Sequence, residues 1–299
     1  MLKNKWIGPT LTSAALAGMV LSGCGTSPTT SPNKGTSGGQ TADKNVTIGY
    51  VNWAEDVAVT SLWKELLEKK GYSVTMESMD AGPLFVGLAH GGIDIFMDTW
   101  LPYTHKTYID RYGSQLQSLG QWYQGEAKIG LVVPKYTSID SITQLNQHAS
   151  DFQNNIVGID PGAGEMTIAK KAVTDYGLKL NLVSGSEATM LSALTRAEAQ
   201  KKPIVVTLWS PHWAFSKWDL KYLTDPKGDF GKSEHIQTEA NMNWAKTHSQ
   251  PISWLKNFKL NPKQLGSLEL DLNSSSDKTA GVKKWIKDNQ NTVNSWFTS

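Results

Sequence analysis

One cysteine, Cys24, stands in 299 residues, so neither an intrachain disulfide framework nor a cysteine-based metal cluster can form. Charge of a dominant sign is missing too: 29 basic residues face 27 acidic ones, and without Lys3 and Lys5, which lie in a segment read below as removed, 27 of each sign remain. Such a chain has no field with which to hold nucleic acid or gather polyanions. The apolar stretch Leu11–Leu21 is too short to anchor stably across a bilayer. Signatures of catalysis are also lacking. No Gly-x-Ser-x-Gly elbow joins a strand to a helix, there is no His-Glu-x-x-His and no cysteine nucleophile, and no Gly-Lys-Ser/Thr follows a glycine turn. No metal or cofactor is expected, and the chain reads as a binder rather than an enzyme.

What is present begins with an address. Lys3 and Lys5 precede the apolar stretch, which ends in Leu21-Ser22-Gly23-Cys24. Residues 1–23 read as a signal peptide, and the last four residues of this stretch resemble a bacterial lipobox, with Cys24 the lipidated mature terminus. Lipid chains contribute about 0.8 kcal/mol per buried methylene, and two or more anchor stably. Residues 24–45 are mostly Ser, Thr, Gly, Pro and Lys, too polar to bury a core, and read as a flexible tether. Nineteen or so such residues would span about 25 Å. The expected location is the extracytoplasmic face of the cell membrane, reached through the lipid alone.

From residue 46 the pattern is α/β. Strands are expected over 46–51, 72–77 and 93–97, with a helix over 57–70 closed by Gly71 and a short helix after Asp80-Ala81-Gly82-Pro83. This order implies a parallel sheet with helices on both faces. It restarts with strands at 129–133, 155–159 and 203–208 and helices over 165–176 and 186–200; helices over 251–257, 262–272 and 276–297 complete the chain. Two lobes follow: residues 46–133 with 239–299, and residues 134–238. Two crossovers between them form a hinge about a cleft.

Twelve tryptophans exceed what packing requires. Three of them, Trp53, Trp100 and Trp209, fall where strands end, and sites in such sheets lie at the carboxyl ends of strands. A trimethylammonium group offers no hydrogen-bond donor and is recognised through diffuse charge and methyl surface, both of which indole faces meet; each contact is worth about 0.5–2 kcal/mol. Read singly, each could equally be a packing residue. Trp63, Trp254, Trp285 and Trp296, within helical patterns, are assigned to packing. The turn Asp160-Pro161-Gly162-Ala163-Gly164-Glu165-Met166 precedes a helix whose free amides could bind a carboxylate, though it could equally be a tight connection. His105 and His212 read by themselves as surface, capping or structural residues.

Together, Val51–Asp56, Asp80–Pro83, Trp100–His105, Gly130–Pro134, Gly158–Gly164 and Trp209–Trp213 resemble the glycine betaine-binding lipoproteins of bacterial osmoprotectant ABC importers, over essentially all of residues 46–299. The resemblance implies a two-lobed periplasmic-binding-protein-like fold (type II) with ligand in the interlobe cleft. It implies a prism of Trp53, Trp100 and Trp209 around the ammonium, with the carboxylate held by the backbone amides of Gly164 and Glu165 and by His105. An ABC permease is the implied partner and the chain is expected to act as a monomer. Glu165 departs from the apolar residue associated with its position, so its side chain is expected to face solvent, or the ligand to differ. Choline, carnitine and proline betaine share the cation. A glycoside hydrolase with aromatic platforms, using two carboxyls among Glu55, Asp56, Asp94, Asp98 and Asp160, is the alternative of another class; Asp94 and Asp98 read more simply as turn and strand-edge residues.

Overall fold

The structure is a computed structural model and describes residues 43–298. The expected signal peptide, Cys24 and nearly all of the expected tether lie outside these residues.

The chain runs β1 (Asn45–Tyr50), α1 (Ala54–Lys69), β2 (Ser73–Ser78), α2 (Ala81–His90), β3 (Ile95–Leu101), α3 (Lys106–Tyr112) and β4 (Leu116–Gln121). Next come β5 (Lys128–Pro134), β6 (Asn155–Val157), α4 (Gly164–Asp175), β7 (Asn181–Val183), α5 (Glu187–Gln200), β8 (Val206–Ser210), α6 (Ala214–Lys217) and β9 (Leu220–Tyr222). It closes with β10 (His235–Asn241), α7 (Met242–Thr247), α8 (Ser249–Asn257), α9 (Pro262–Ser274), α10 (Lys278–Asp288) and α11 (Gln290–Trp296). Gly71 follows α1 with φ +85, the left-handed turn that a Cβ would strain. The single helix expected over 276–297 is two, meeting at Asn289.

Two five-stranded sheets form, in the orders β2-β1-β3-β10-β4 and β7-β6-β8-β5-β9. Neither is wholly parallel, which corrects the simplest reading of the pattern. β10 is antiparallel to β3 and β4, and β5 to β8 and β9, because each is the strand that arrives from the other sheet. For the same reason the lobe boundaries shift from those expected. Residues 129–133 stand in the second sheet rather than closing the first, and the return to the first sheet begins at His235 rather than near 239. The crossovers run side by side: Glu234 donates its amide to the Ala127 carbonyl at 2.7 Å and accepts from the Ala127 amide at 3.3 Å. This short paired ribbon is the place where rotation of one sheet against the other would cost least.

The C-terminal helices return to cover the first sheet. Trp63 of α1 meets Phe258 edge to face at 5.4 Å between ring centroids and stacks on Trp296 at 6.2 Å. Trp285 lies beside Trp296, and its indole N–H donates to Ser267 Oγ at 2.8 Å. All three tryptophans are fully buried, as their helical spacing implies. Each withdraws about 200 Å² from water, worth about 5 kcal/mol, so this cluster ties the chain's end to its first helix.

Candidate ligand-binding cleft

The carboxyl ends of β1, β3 and β8 converge on one cavity of about 270 Å³, lined by Trp53, Trp100 and Trp209 with Glu55, His105, Gly164 and Glu165. Trp53 and Trp100 come from the first sheet and Trp209 from the second. Trp53 and Trp209 meet edge to face, their centroids 6.3 Å apart with the planes at 62°. Trp53 is stacked on His105 at 6.0 Å. The three rings expected to converge do so, and all three are buried.

Each of these indoles donates its N–H to a carboxylate. Trp53 Nε1 reaches Asp160 Oδ2 at 3.3 Å, Trp100 Nε1 reaches Asp98 Oδ1 at 2.9 Å, and Trp209 Nε1 reaches Glu55 Oε2 at 2.8 Å. A carboxyl oxygen that accepts the N–H fixes the ring's rotation and sets its partial negative charge against the indole edge, both favourable to a cation at the ring faces. Sequence reading missed this layer. Asp98, expected at a strand edge, sits fully buried in the central strand β3. An acidic residue two places before Trp100 on a strand points to the same side as the indole, a signal available from period-two alternation. Asp94 instead accepts the Thr47 amide at 2.7 Å where β3 begins.

Burial disfavours the charged form of these acids. Burial pushes Glu55 well above the carboxylate range, with Asp98 and Glu187 adding to the rise; burial and Asp98 do the same for Asp56. Burial raises Asp98 to about 7, and Asp98 shares a hydrogen bond with Glu55. In the unfolded chain such an acid ionises near pH 4. Between about pH 4 and 7 the folded form therefore binds more protons, and this contribution to stability is lost as pH rises. Asp98→Asn, which keeps an acceptor for Trp100, removes that loss. Its melting temperature gains on the wild type from pH 4.5 to 7.5, by about 2–4 °C for each kcal/mol relieved, as read by thermal unfolding across pH.

On the donor side, His105 is fully buried, and its Nδ1 accepts the Trp100 amide at 2.9 Å. Burial pushes its pKa down to about 3, so the ring is neutral and its proton resides on Nε2, which has no partner among the described residues. The amides of Gly164 and Glu165 open α4 and have no intrahelical acceptor. A Cβ on Gly164 would stand 1.9 Å from the Thr104 carbonyl, so only glycine allows this close approach between the sheets. The Glu165 side chain does not face solvent as expected: it is 3% exposed, and its Oε1 accepts the Gly130 amide at 3.2 Å. His212 is structural, as read: its Nδ1 accepts the Ala214 amide and its Nε2 donates to Glu187 Oε1 at 3.1 Å.

Hydrogen bonds cross the cleft as well as ring contacts. Trp53 pairs with Asp160 and Trp209 with Glu55, as above. The Tyr108 hydroxyl donates to the Gly162 carbonyl at 2.8 Å, and Glu187 Oε2 accepts the amide of Ala54, the first residue of α1, at 2.9 Å. The cleft is shut.

Two hinged α/β sheets closed over a buried aromatic cavity define a two-lobed substrate-binding protein of the periplasmic-binding-protein type. The chain belongs to the family described as the substrate-binding domain of ABC-type glycine betaine transport systems, whose model matches residues 44–288. It is 39% identical over 144 residues to the glycine betaine/carnitine transport binding protein GbuC of Listeria monocytogenes serotype 1/2a (strain 10403S), a match covering 47% of this chain and 48% of that protein. The chain thus spans about half the length of that curated relative. Lactococcal OpuAC, solved in its closed-liganded conformation with glycine betaine, is 37% identical with a TM-score of 0.80, covering 86% of this chain and all of that one. The glycine betaine/L-proline-binding protein ProX of Borrelia burgdorferi is 31% identical with a TM-score of 0.81, covering 86% and 97%. This membership leaves the glycoside hydrolase reading without support. No helix among the described residues is long and apolar enough to cross a membrane.

Proposed function

We propose that this protein captures glycine betaine outside the cytoplasm, with Trp53, Trp100 and Trp209 around the trimethylammonium group and His105 Nε2 with the Gly164 and Glu165 amides on the carboxylate. It delivers this ligand to an ABC permease rather than transforming it. The observation that carries the reading is the pairing, in one buried cavity, of three carboxylate-backed indole faces with an unpartnered imidazole N–H. The first set suits a cation without donors; the second suits an anionic group on the same small molecule. The 37% identical lactococcal protein, whose structure holds glycine betaine, supports the choice of ligand. Cys24 behind its apolar stretch supports anchoring by lipid, with the following polar segment as tether.

Calorimetry with glycine betaine, proline betaine, carnitine and choline tests this. Glycine betaine should bind in the micromolar range or tighter, and binding of choline alone would sink the proposal. His105→Ala should weaken glycine betaine about 10- to 100-fold, the worth of one charge-assisted hydrogen bond. Choline, which has no carboxylate, should lose much less. The ratio of the two affinities is the readout, since any disturbance of the Trp100 amide affects both ligands alike.

A further inference from the structure

The side chain of Glu165 is not used by the reading above, and several features set it apart. It is almost wholly buried on α4, part of the second lobe's side of the cavity wall. One oxygen, Oε1, accepts the Gly130 amide; the Leu208 amide also lies toward the carboxyl, but Oε2 is buried without a partner at good hydrogen-bond geometry among the described residues. Among the cavity's lining residues the other such nitrogen or oxygen atom is His105 Nε2. A lone buried oxygen costs about 1–3 kcal/mol unless something satisfies it. Here two orphan polar atoms, one contributed by each lobe, line one cavity, and a carboxylate has two oxygens.

We propose that Glu165 acts in ligand recognition as a neutral acid, its Oε2 hydroxyl donating to one carboxylate oxygen while His105 Nε2 donates to the other, and that ionisation of Glu165 turns the cavity toward cationic alcohols such as choline. The proposal rests on the quaternary-ammonium reading and adds a specificity-determining side chain to it. An ionised Glu165 would repel a carboxylate, whereas a neutral one completes a pair of donors; ionised, it accepts instead, which suits a hydroxyl. The surroundings favour the neutral form. Burial pushes the Glu165 carboxyl up to about 8, opposed by the Gly130 and Leu208 amides and helped by the Glu234 carboxylate.

The groups facing it can be separated by where they titrate. His105 stays neutral far above its depressed value, and burial lifts the Tyr222 phenol out of range. Glu234 accepts from the Tyr103 and Thr104 amides. Asp98, at about 7, is largely ionised below the pH 8 to 9 interval, and Glu55, also raised, changes charge nearby in a way that remains in place in Glu165→Gln and is so separated from the effect of Glu165.

Calorimetry of the intact protein from pH 6.5 to 9.5 with glycine betaine and choline tests the proposal. For the wild type, the Kd for glycine betaine should rise about tenfold between pH 8 and 9 relative to that for choline. Glu165→Gln cannot ionise and should remove this divergence, whatever its absolute affinities. A measurement without any variant gives the same answer: in buffers of different ionisation enthalpy at pH 8.5, betaine binding should take up more protons than choline binding, by a substantial fraction of one. Parallel pH profiles for the two ligands, equal proton stoichiometries, or a divergence that persists in Glu165→Gln would each overturn the proposal. Absence of binding by any quaternary ammonium compound would instead remove the functional reading on which it stands.

Discussion

Trp209→Leu lowers the affinity for glycine betaine by at least about tenfold, the loss of about 1–2 kcal/mol of cation–π attraction from one desolvated wall. The indole does more than supply a face. Its N–H holds Glu55 Oε2 across the cleft, so leucine also removes a contact that fastens the closed form and leaves a buried carboxyl without its donor. Trp209→Phe separates the two effects: it restores an aromatic face but not the N–H, and should fall between wild type and leucine. The control is Trp63, equally buried but packed against Phe258 and Trp296 on the far side of α1. Trp63→Leu should cost about 3 kcal/mol of stability through the cavity it opens and leave ligand affinity nearly unchanged. Calorimetry paired with thermal unfolding distinguishes them, and an unaltered Kd in Trp209→Leu would show that its ring is no part of the site.

How much of this was legible depends on which periodicity carried the information. The helices and buried strands are local patterns, and spacing also placed the three tryptophans at strand ends; that they wall one cavity together was implied by the family resemblance. β10 escaped notice because His235–Asn241 alternates polar residues through a strand that is nonetheless buried: Gln237, Thr238, Glu239 and Asn241 are all interior. Missing it misplaced the lobe boundary, since the arrival of β10 in the first sheet marks the return crossover. Asp98 behind Trp100 could have been read from strand alternation, but the carboxyls behind Trp209 and Trp53 were invisible for a different reason. Glu55 and Trp209 are 154 residues apart and Trp53 and Asp160 are 107, pairings that only cleft closure creates. Glu165 was misjudged because an acid at a helix start is ordinarily solvated and welcomed by the helix's positive end; burial under β5 prevails here.

Glu187→Ala should weaken every ligand by the same factor, about tenfold, and this uniformity distinguishes closure from contact. Glu187 is absent from the lining of the ligand cavity. It reaches across the cleft to the amide of Ala54, where α1 begins behind Trp53, a cap residue that makes no side-chain hydrogen bond to the helix. A helix N-terminus lacking its own cap gains one from the opposite lobe only when the cleft is shut, while in an open form water serves that amide. The partnership of Glu187 with His212 lies within the second lobe, so losing it affects open and closed forms alike and cancels. What remains is one hydrogen bond to a charged acceptor, about 1.5–3 kcal/mol at most, charged against the closed state alone. Since apparent affinity scales with the fraction of protein able to close, the penalty falls equally on betaine, carnitine and choline and appears mainly as faster release. Stopped-flow tryptophan fluorescence with two ligands reads it. A change confined to carboxylate ligands would place Glu187 in the ligand's own contacts and remove its assignment as a latch.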